Sequence, residues 1–395
     1  MRWRRPEGLL VLDASVGTEL ARLNFLEGFA RAVMTGVVPL AAFEALGSKE
    51  AVSYVFIGGA VITVLFTLNV GGLERRLQRR WVVTLAAAFL FIAAVLLAFA
   101  DGPLFVVAIG LRSAEASIFS VCLSLYIMDF IGKRDLTVTE SRRIVYTGVA
   151  WLIGPTLGVW LWSRGSTVAP FAVSAVATLL MIGYFWRLRF HHNAVLMTPN
   201  SVIPNPFANV IRYFRQRHLR IAYAITLSRA VFWAALFVYG PIYIVEAGLP
   251  VWTAGVFLSS ASAMLFVSPL VRRAADRLGS RTVIISAFLL MSASMVALAL
   301  LPTPQPLGVA FWLSGAVGGA ALDVLGNIPF MRMVKPRERT AMTTVFSTWR
   351  EASFLVAPLI AAVALAAGSF RILYVVLAGL LAGAAAATSY LPRRI

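Results

Sequence analysis

Charge is scarce in this 395-residue chain and acid scarcer still: Asp, Glu, Lys and Arg make up 13% of it, with 17 acids against 35 bases. Soluble domains carry about 25% charged residues, so a water-soluble enzyme of this length does not fit. Cysteine is almost absent. Cys122 stands alone inside an apolar run, which excludes a disulfide framework and a Cys-rich metal site. The three histidines, His191, His192 and His218, fall in one basic stretch. The sequence also lacks an HExxH zinc pair, a Gly-rich loop ending in Lys-Ser or Lys-Thr, and a Gly-x-Ser-x-Gly elbow. Zinc hydrolysis, direct ATP use and serine hydrolysis therefore have no residues to work with, and neither enzyme activity nor a metal or cofactor is expected. The N-terminal Met1-Arg-Trp-Arg-Arg has the charge of a signal n-region. The apolar stretch after it is short and meets Asp13 without a small-residue cleavage site, so it reads as a retained tail.

What is present is long apolar sequence. A helix needs roughly 20 apolar residues to cross the hydrocarbon core. Seven windows meet this without a charge: 51–70, 81–100, 144–163, 167–186, 251–271, 282–301 and 372–391. Five more, about 25–46, 104–131, 219–245, 307–331 and 341–365, are apolar but carry ionisable residues. No short alternating segments suggest a barrel, so twelve transmembrane helices are predicted. Of the bases, only Lys49, Arg164 and Arg371 fall in odd-numbered connections, and Arg22, Arg31, Arg112, Arg229 and Arg350 fall in or at the start of spans. The rest cluster in the even-numbered connections and the termini, which places both termini in the cytoplasm. The +18 charge is thereby read as topology, with no nucleic-acid partner. In the long central connection, Asn205-Pro206-Phe207 reads as a helix start. Phe207, Val210, Ile211 and Phe214 recur opposite Asn209, Arg212 and Gln216, as in an amphipathic helix at a membrane surface, with a plain basic linker as the alternative.

The chain also repeats itself at an offset of about 200 residues. Pro39 and Glu44-Ala45 meet Pro241 and Glu246-Ala247, Arg76-Leu77 and Arg80 meet Arg277-Leu278 and Arg281, Leu111 and Ala114 meet Leu313 and Ala316, Lys133 meets Lys335, and Pro155 meets Pro358. This predicts an all-α membrane protein of two six-helix bundles of like orientation, 1–189 and 219–395, joined by a linker over 190–218 that carries the amphipathic helix. Parallel repeats of this kind are one arrangement of secondary transporters.

Between spans eight and nine, Asp276-Arg277-Leu278-Gly279-Ser280-Arg281 resembles the loop signature of the major facilitator superfamily, with Arg272 in place of its leading glycine. The first copy, Glu74-Arg75-Arg76-Leu77-Gln78-Arg79-Arg80, is degenerate: Arg75 takes the Asp position and Gln78 the Gly position. Arg112, with Glu115 after it, is placed like the family's intramembrane arginine motif. Gly154-Pro155-Thr156-Leu157-Gly158 resembles the Gly-Pro motif of its drug/proton antiporter-like members, Val159 replacing a second glycine. The resemblance implies the major facilitator fold in a bacterial inner membrane, with no cofactor, a proton gradient as energy source, and a monomer. A loop network of Glu74, Arg76, Arg80, Asp129, Asp276, Arg277, Gly279 and Arg281 would switch with conformation, the plainer alternative being that its arginines only enforce topology.

The interrupted spans are one, four, seven, ten and eleven, and the resemblance puts the first four around a central cavity. Buried charge is costly in lipid and tends to mark a pathway or a proton relay. Glu27 and Arg31 share one helical face, as do Arg112 and Glu115. Arg229 lies in span seven, Asp323 in the second half of span ten, and Arg350-Glu351 are expected near the middle of span eleven. These match arginine for acid, either as proton-coupling groups or as permanent ion pairs. Trp151, Trp233 and Trp349 are aromatic candidates for the cavity, with core packing as the plainer alternative, and Gly379 and Gly383 are spaced for close helix packing. The expected activity is proton-coupled efflux of a small organic or amphiphilic compound. The alternatives are uptake of a small organic anion or zwitterion, and a non-transporting sensor or scaffold.

Overall fold

The computed structural model describes residues 14–99, 102–130, 136–188, 206–334, 338–367 and 369–392. These residues form helices joined by short connections, and no strand occurs among them. In chain order the helices are α1 (Ala14–Thr35), α2 (Val37–Leu46), α3 (Lys49–Arg76), α4 (Arg79–Phe99), α5 (Pro103–Phe130), α6 (Leu136–Ser163), α7 (Ala169–Arg187), α8 (Pro206–Arg215) and α9 (Arg217–Glu246). They continue with α10 (Trp252–Ala263), α11 (Ser268–Leu278), α12 (Ser280–Leu300), α13 (Pro306–Leu325), α14 (Ile328–Met333), α15 (Arg339–Ser347), α16 (Trp349–Ala366) and α17 (Phe370–Thr388). Among the described residues 12 stretches are long and apolar enough to cross a membrane. Four of these are interrupted: α1 and α2 join at Gly36, α10 and α11 at a 3₁₀ turn, α13 and α14 at Gly326-Asn327, and α15 and α16 at Thr348.

These helices hold together without much help from apolar transfer, because lipid is as apolar as leucine; close packing and interhelical hydrogen bonds do more. Large apolar side chains such as Leu65, Phe99, Leu180, Leu300 and Val363 accordingly point outward. Small and polar residues mark the seams between helices. Ser294 Oγ meets Ser314 Oγ at 2.7 Å between α12 and α13, and Ser292 donates to the Ala378 carbonyl of α17 at 2.9 Å. A Cβ at Gly158 of α6 would lie 1.8 Å from the Val33 carbonyl oxygen of α1. At Gly154 it would lie 2.5 Å from Ala32 Cβ, so the Gly-Pro segment is where α6 presses onto α1.

The described residues group into two compact units, one drawn from Met1–Thr35 and Val61–Pro199, the other from Gly36–Ala60 and Asn200–Ile395. The repeat places its boundary in the central connection, yet α2 and the start of α3 group with the second unit. Two polar contacts and a buried apolar seam account for this. Lys49 Nζ meets Glu246 at 2.6 Å and lies 4.2 Å from the Phe370 ring centroid, Ser53 meets the Tyr239 hydroxyl at 2.7 Å, and Val37, Val38 and Leu40 are buried.

Three expectations are corrected. Span one begins at Val16 rather than near Phe25. Arg350 stands in the first turn of α16 and is exposed, not mid-span, because Thr348 ends one helix and Trp349 starts the next. Gly379 and Gly383 are not at a tight seam: a Cβ at either would meet nothing within 4 Å, and both are exposed.

Candidate functional site

In the first unit, α1, α5 and α6 bring the predicted intramembrane charges together. Glu27 and Arg31, one turn apart, are joined at 3.0 Å. Arg31 Nε then reaches 4.0 Å from Glu115 on α5. Glu115 is wholly buried, and neither carboxylate oxygen accepts a hydrogen bond. Arg112, one turn before Glu115, donates to the Arg31 carbonyl at 3.0 Å and to Thr35 Oγ1 at 2.6 Å. Two arginines thus stand against two acids, yet one arginine is spent on the backbone and hydroxyl of α1, leaving Arg31 as the cation shared by both carboxylates. Trp151 of α6 lies beside this group: its indole nitrogen would be 3.9 Å from a Cβ at Gly28, next to Glu27. Asn24 bonds Thr147 between the same two helices.

The second unit holds a counterpart built on a broken helix. Gly326-Asn327-Ile328-Pro329 stops α13, since proline has no amide proton to continue the ladder. The helix end is held from α9: Arg229 Nη1 donates to the Leu322 carbonyl at 2.9 Å, and Thr226 Oγ1 reaches the Gly326 carbonyl at 3.5 Å. The Leu322 oxygen also takes the Gly326 amide at 2.7 Å, as a helix C-terminus with its excess of carbonyls favours cations. Arg229 Nε lies 3.3 Å from Asp323, and the guanidinium carbon lies 5.2 Å from the Trp349 ring centroid. Trp233 packs on Gly319, one turn before Asp323, and stacks on Phe237. Arg229 is buried while the Asp323 side chain remains 30% exposed, so the acid is the open edge of this pair.

Of the expected loop network, only Arg80 and the residues from Asp276 to Arg281 are described with their side chains. Gly279 has φ of 85°, a conformation suited to glycine, and makes the turn from α11 to α12. Asp276 and Arg277 are exposed, and among the described residues no ion pair joins Asp276 to Arg277 or Arg281. Arg281 instead donates to the Leu391 carbonyl at 2.8 Å and to that of Ser389, beyond the end of α17. Arg80 lies 5.8 Å from the Trp81 ring. The side chains of Glu74, Arg76, Asp129 and Glu351 lie outside the described residues.

With the fold and these clusters in view, comparison with known proteins is decisive for the family. The Major Facilitator Superfamily pattern matches residues 20–274 and 260–394, nearly the whole chain. The chain belongs to that superfamily. It is therefore an integral multi-pass membrane protein of the major facilitator fold, and a transporter rather than an enzyme. Comparison with curated proteins finds no match in sequence. Solved superfamily structures share the fold. A POT family transporter in complex with 5-aminolevulinic acid has TM-score 0.78 at 12% identity, covering 94% of this chain and 95% of its own. The nucleoside transporter NupG, as a point mutant, has TM-score 0.76 at 13% identity over 95% and 99%. A bacterial homologue of the iron transporter ferroportin, in an inward-facing state, has TM-score 0.72 at 15% identity over 95% and 98%. Such identities carry the fold and nothing finer.

Several partners in this superfamily member escaped sequence reasoning. Thr35 and the carbonyls of Arg31 and Leu322 hold arginines, but a hydroxyl or a backbone oxygen carries no signature in an apolar sequence. Thr226 is equally silent. The break in span ten did have a signal, the Gly326-Asn327-Ile328-Pro329 run inside an apolar window.

Proposed function

We propose that this protein is a proton-coupled secondary transporter of a small organic solute, working by alternating access, with both termini in the cytoplasm and Glu115 as its proton carrier. The observation that carries this reading is the unsatisfied Glu115 carboxylate, fully buried with no hydrogen bond, with Arg31 Nε 4.0 Å away and Arg112 one turn before it on α5. Burial disfavours the charged form of a carboxylate and a nearby arginine favours it, so a shift of α1 against α5 that moves Arg31 would change the readiness of Glu115 to take or release a proton. The Arg229–Asp323 pair and its tryptophans serve as the substrate side, and the loop about Asp276 to Arg281 changes its contacts between states.

Export is the first reading of direction, resting on the Gly-Pro segment of α6 and its pressed contact with α1. Uptake of an anion or zwitterion is the second. It is supported by Asp323, partly exposed beside the buried Arg229 and open to the ammonium group of a zwitterion, and by a neighbouring fold crystallised with 5-aminolevulinic acid.

Proteoliposomes under an imposed proton gradient test the coupling, with ethidium as the export probe and dialanine and 5-aminolevulinic acid as uptake probes. Gradient-driven movement of at least one probe is expected, and Glu115→Gln should lose it about 100-fold, the lower end of what a positioned proton-transfer group contributes. Exchange of the same probe without a gradient should survive. Unchanged gradient-driven transport in Glu115→Gln would remove Glu115 from the mechanism. The Lys49–Glu246 contact is proposed to part during the cycle. Lys49→Glu should slow transport, and Lys49→Glu with Glu246→Lys should restore it; equal rates in the single and double variants would speak against that role.

A further inference from the structure

Helix α8 is docked on its inner side and open on its outer side, where Phe214 touches Tyr223 of α9, ring centroids 5.3 Å apart, yet keeps an accessible edge. Tyr213 is fully buried among Leu219 and Ala222 of α9, Phe330 of α14, Val334, and Met342, Val345 and Phe346 of α15. Its hydroxyl donates to the Leu219 carbonyl at 3.0 Å, and burial pushes the phenol well above the usual tyrosine range, so it stays a donor. Arg212 pairs with Glu338, whose other oxygen accepts from Gln216 at 3.1 Å. Both carboxylate oxygens of the acid that reaches α8 are thus occupied.

The other face of α8 is exposed and apolar: Val210 is 41%, Ile211 57% and Phe214 39% accessible. Exposed bases follow at once, Arg215, Arg217, His218 and Arg220. Arg217 lies over Tyr390 at 5.0 Å. The sequence contains no Asp or Glu from residue 141 to residue 245, so Arg215 and Arg220 have no acid in their own segment to neutralise them. An apolar stripe edged by unneutralised arginines is complementary to one surface above others, a bilayer whose headgroups are negative.

We propose that the outer face of α8 and the first turn of α9 bind an anionic phospholipid, with Val210, Ile211 and Phe214 seated at the acyl boundary and Arg215, His218 and Arg220 on the phosphate. The site adjoins the transport machinery, because α9 carries Arg229 and the Tyr223 hydroxyl of α9 meets Thr348 Oγ1 at 3.1 Å, just before the Trp349 that stacks on Arg229. A zwitterionic lipid offers the same phosphate with its charge cancelled, and a soluble acidic peptide offers charge without an acyl chain.

The test is native mass spectrometry of the full-length protein, titrated in parallel with phosphatidylglycerol and phosphatidylcholine. Phosphatidylglycerol should be retained preferentially. Each arginine near an anionic surface contributes about a fivefold preference, so Arg215→Gln with Arg220→Gln should reduce retention about 25-fold, with phosphatidylcholine unaffected. Ile211→Ser with Phe214→Ser should weaken both lipids. Equal retention of the two lipids by the unaltered protein, or undiminished phosphatidylglycerol binding in an arginine variant of normal melting temperature, would overturn the proposal, the latter leaving an acidic protein as the partner of this face. Should the variants fail to fold, salt decides on the unaltered protein. The screening length falls from about 10 Å at 0.1 M to about 3 Å at 1 M, and phosphatidylglycerol preference that survives this change would equally overturn it.

Discussion

Leucine in place of Gly158 should leave little folded protein. The Cβ alone would stand 1.8 Å from the Val33 carbonyl oxygen, 2.8 Å from its carbon and 3.2 Å from its Cα. All three are backbone atoms of α1 and cannot turn aside, so the seam between α6 and α1 must open along its length. Overpacking costs about 1–3 kcal/mol and occasionally more, and an unyielding neighbour places Gly158→Ala at the upper end and Gly158→Leu beyond it. Gly379→Leu is the matched control. There a Cβ meets nothing within 4 Å, so its effect should stay within about 0.5 kcal/mol, as for other surface changes. Melting curves in detergent, with size-exclusion profiles, read both. Equal melting of the two variants would mean that α6 and α1 are not pressed together at Gly158.

Removing Arg31 should be nearly as severe, for an electrostatic reason. Glu27 and Glu115 share this one cation, since Arg112 is anchored on the Arg31 carbonyl and Thr35. Breaking a buried pair by deleting one partner costs about 3–5 kcal/mol, and because the Arg31 side chain is 22% exposed, Arg31→Gln should fall at the low end. The informative measurement is the double variant. Adding Glu115→Gln removes one of the two carboxylates left without Arg31, so the pair of changes should recover part of the lost stability while Glu27 stays unpaired. If Glu115→Gln adds to the damage instead, Glu115 draws its support from elsewhere than Arg31.

Much of this molecule is legible in one dimension. A hydrocarbon slab is a uniform solvent, and crossing it demands length and apolarity that a window of residues reports directly; the described spans therefore repeat the sequence reading to within a few residues, except that span one starts early at Val16, span four ends early at Ser124 and span eight runs on to Leu278. The pairing of Glu27 with Arg31 and the closeness of Arg112 to Glu115 in sequence follow from helical spacing. The 200-residue repeat and the Asp276 to Arg281 segment led to the superfamily.

Other features depend on which face meets which neighbour. Gly158 and Gly379 are the same residue in similar apolar surroundings, yet one touches backbone and the other open space. Arg281 belongs to a motif, but its guanidinium caps the last helix rather than pairing with Asp276. Arg350 looked buried in a continuous span until Thr348 divided that span in two. Lys49, the lone base of its connection, acquires Glu246 and Phe370 as partners only through folding.

Composition and periodicity thus determined by themselves that the chain spans a membrane twelve times as helices, and which spans carry charge, because the bilayer constrains each segment separately. The tertiary structure decided what each charge faces: Arg31 shared by two acids, Glu115 without a hydrogen bond, Arg229 held by a broken helix. Those outcomes depend on the rotation and depth of one helix against another. In lipid these are set by small residues and backbone carbonyls, groups too common in an apolar sequence to announce their partners.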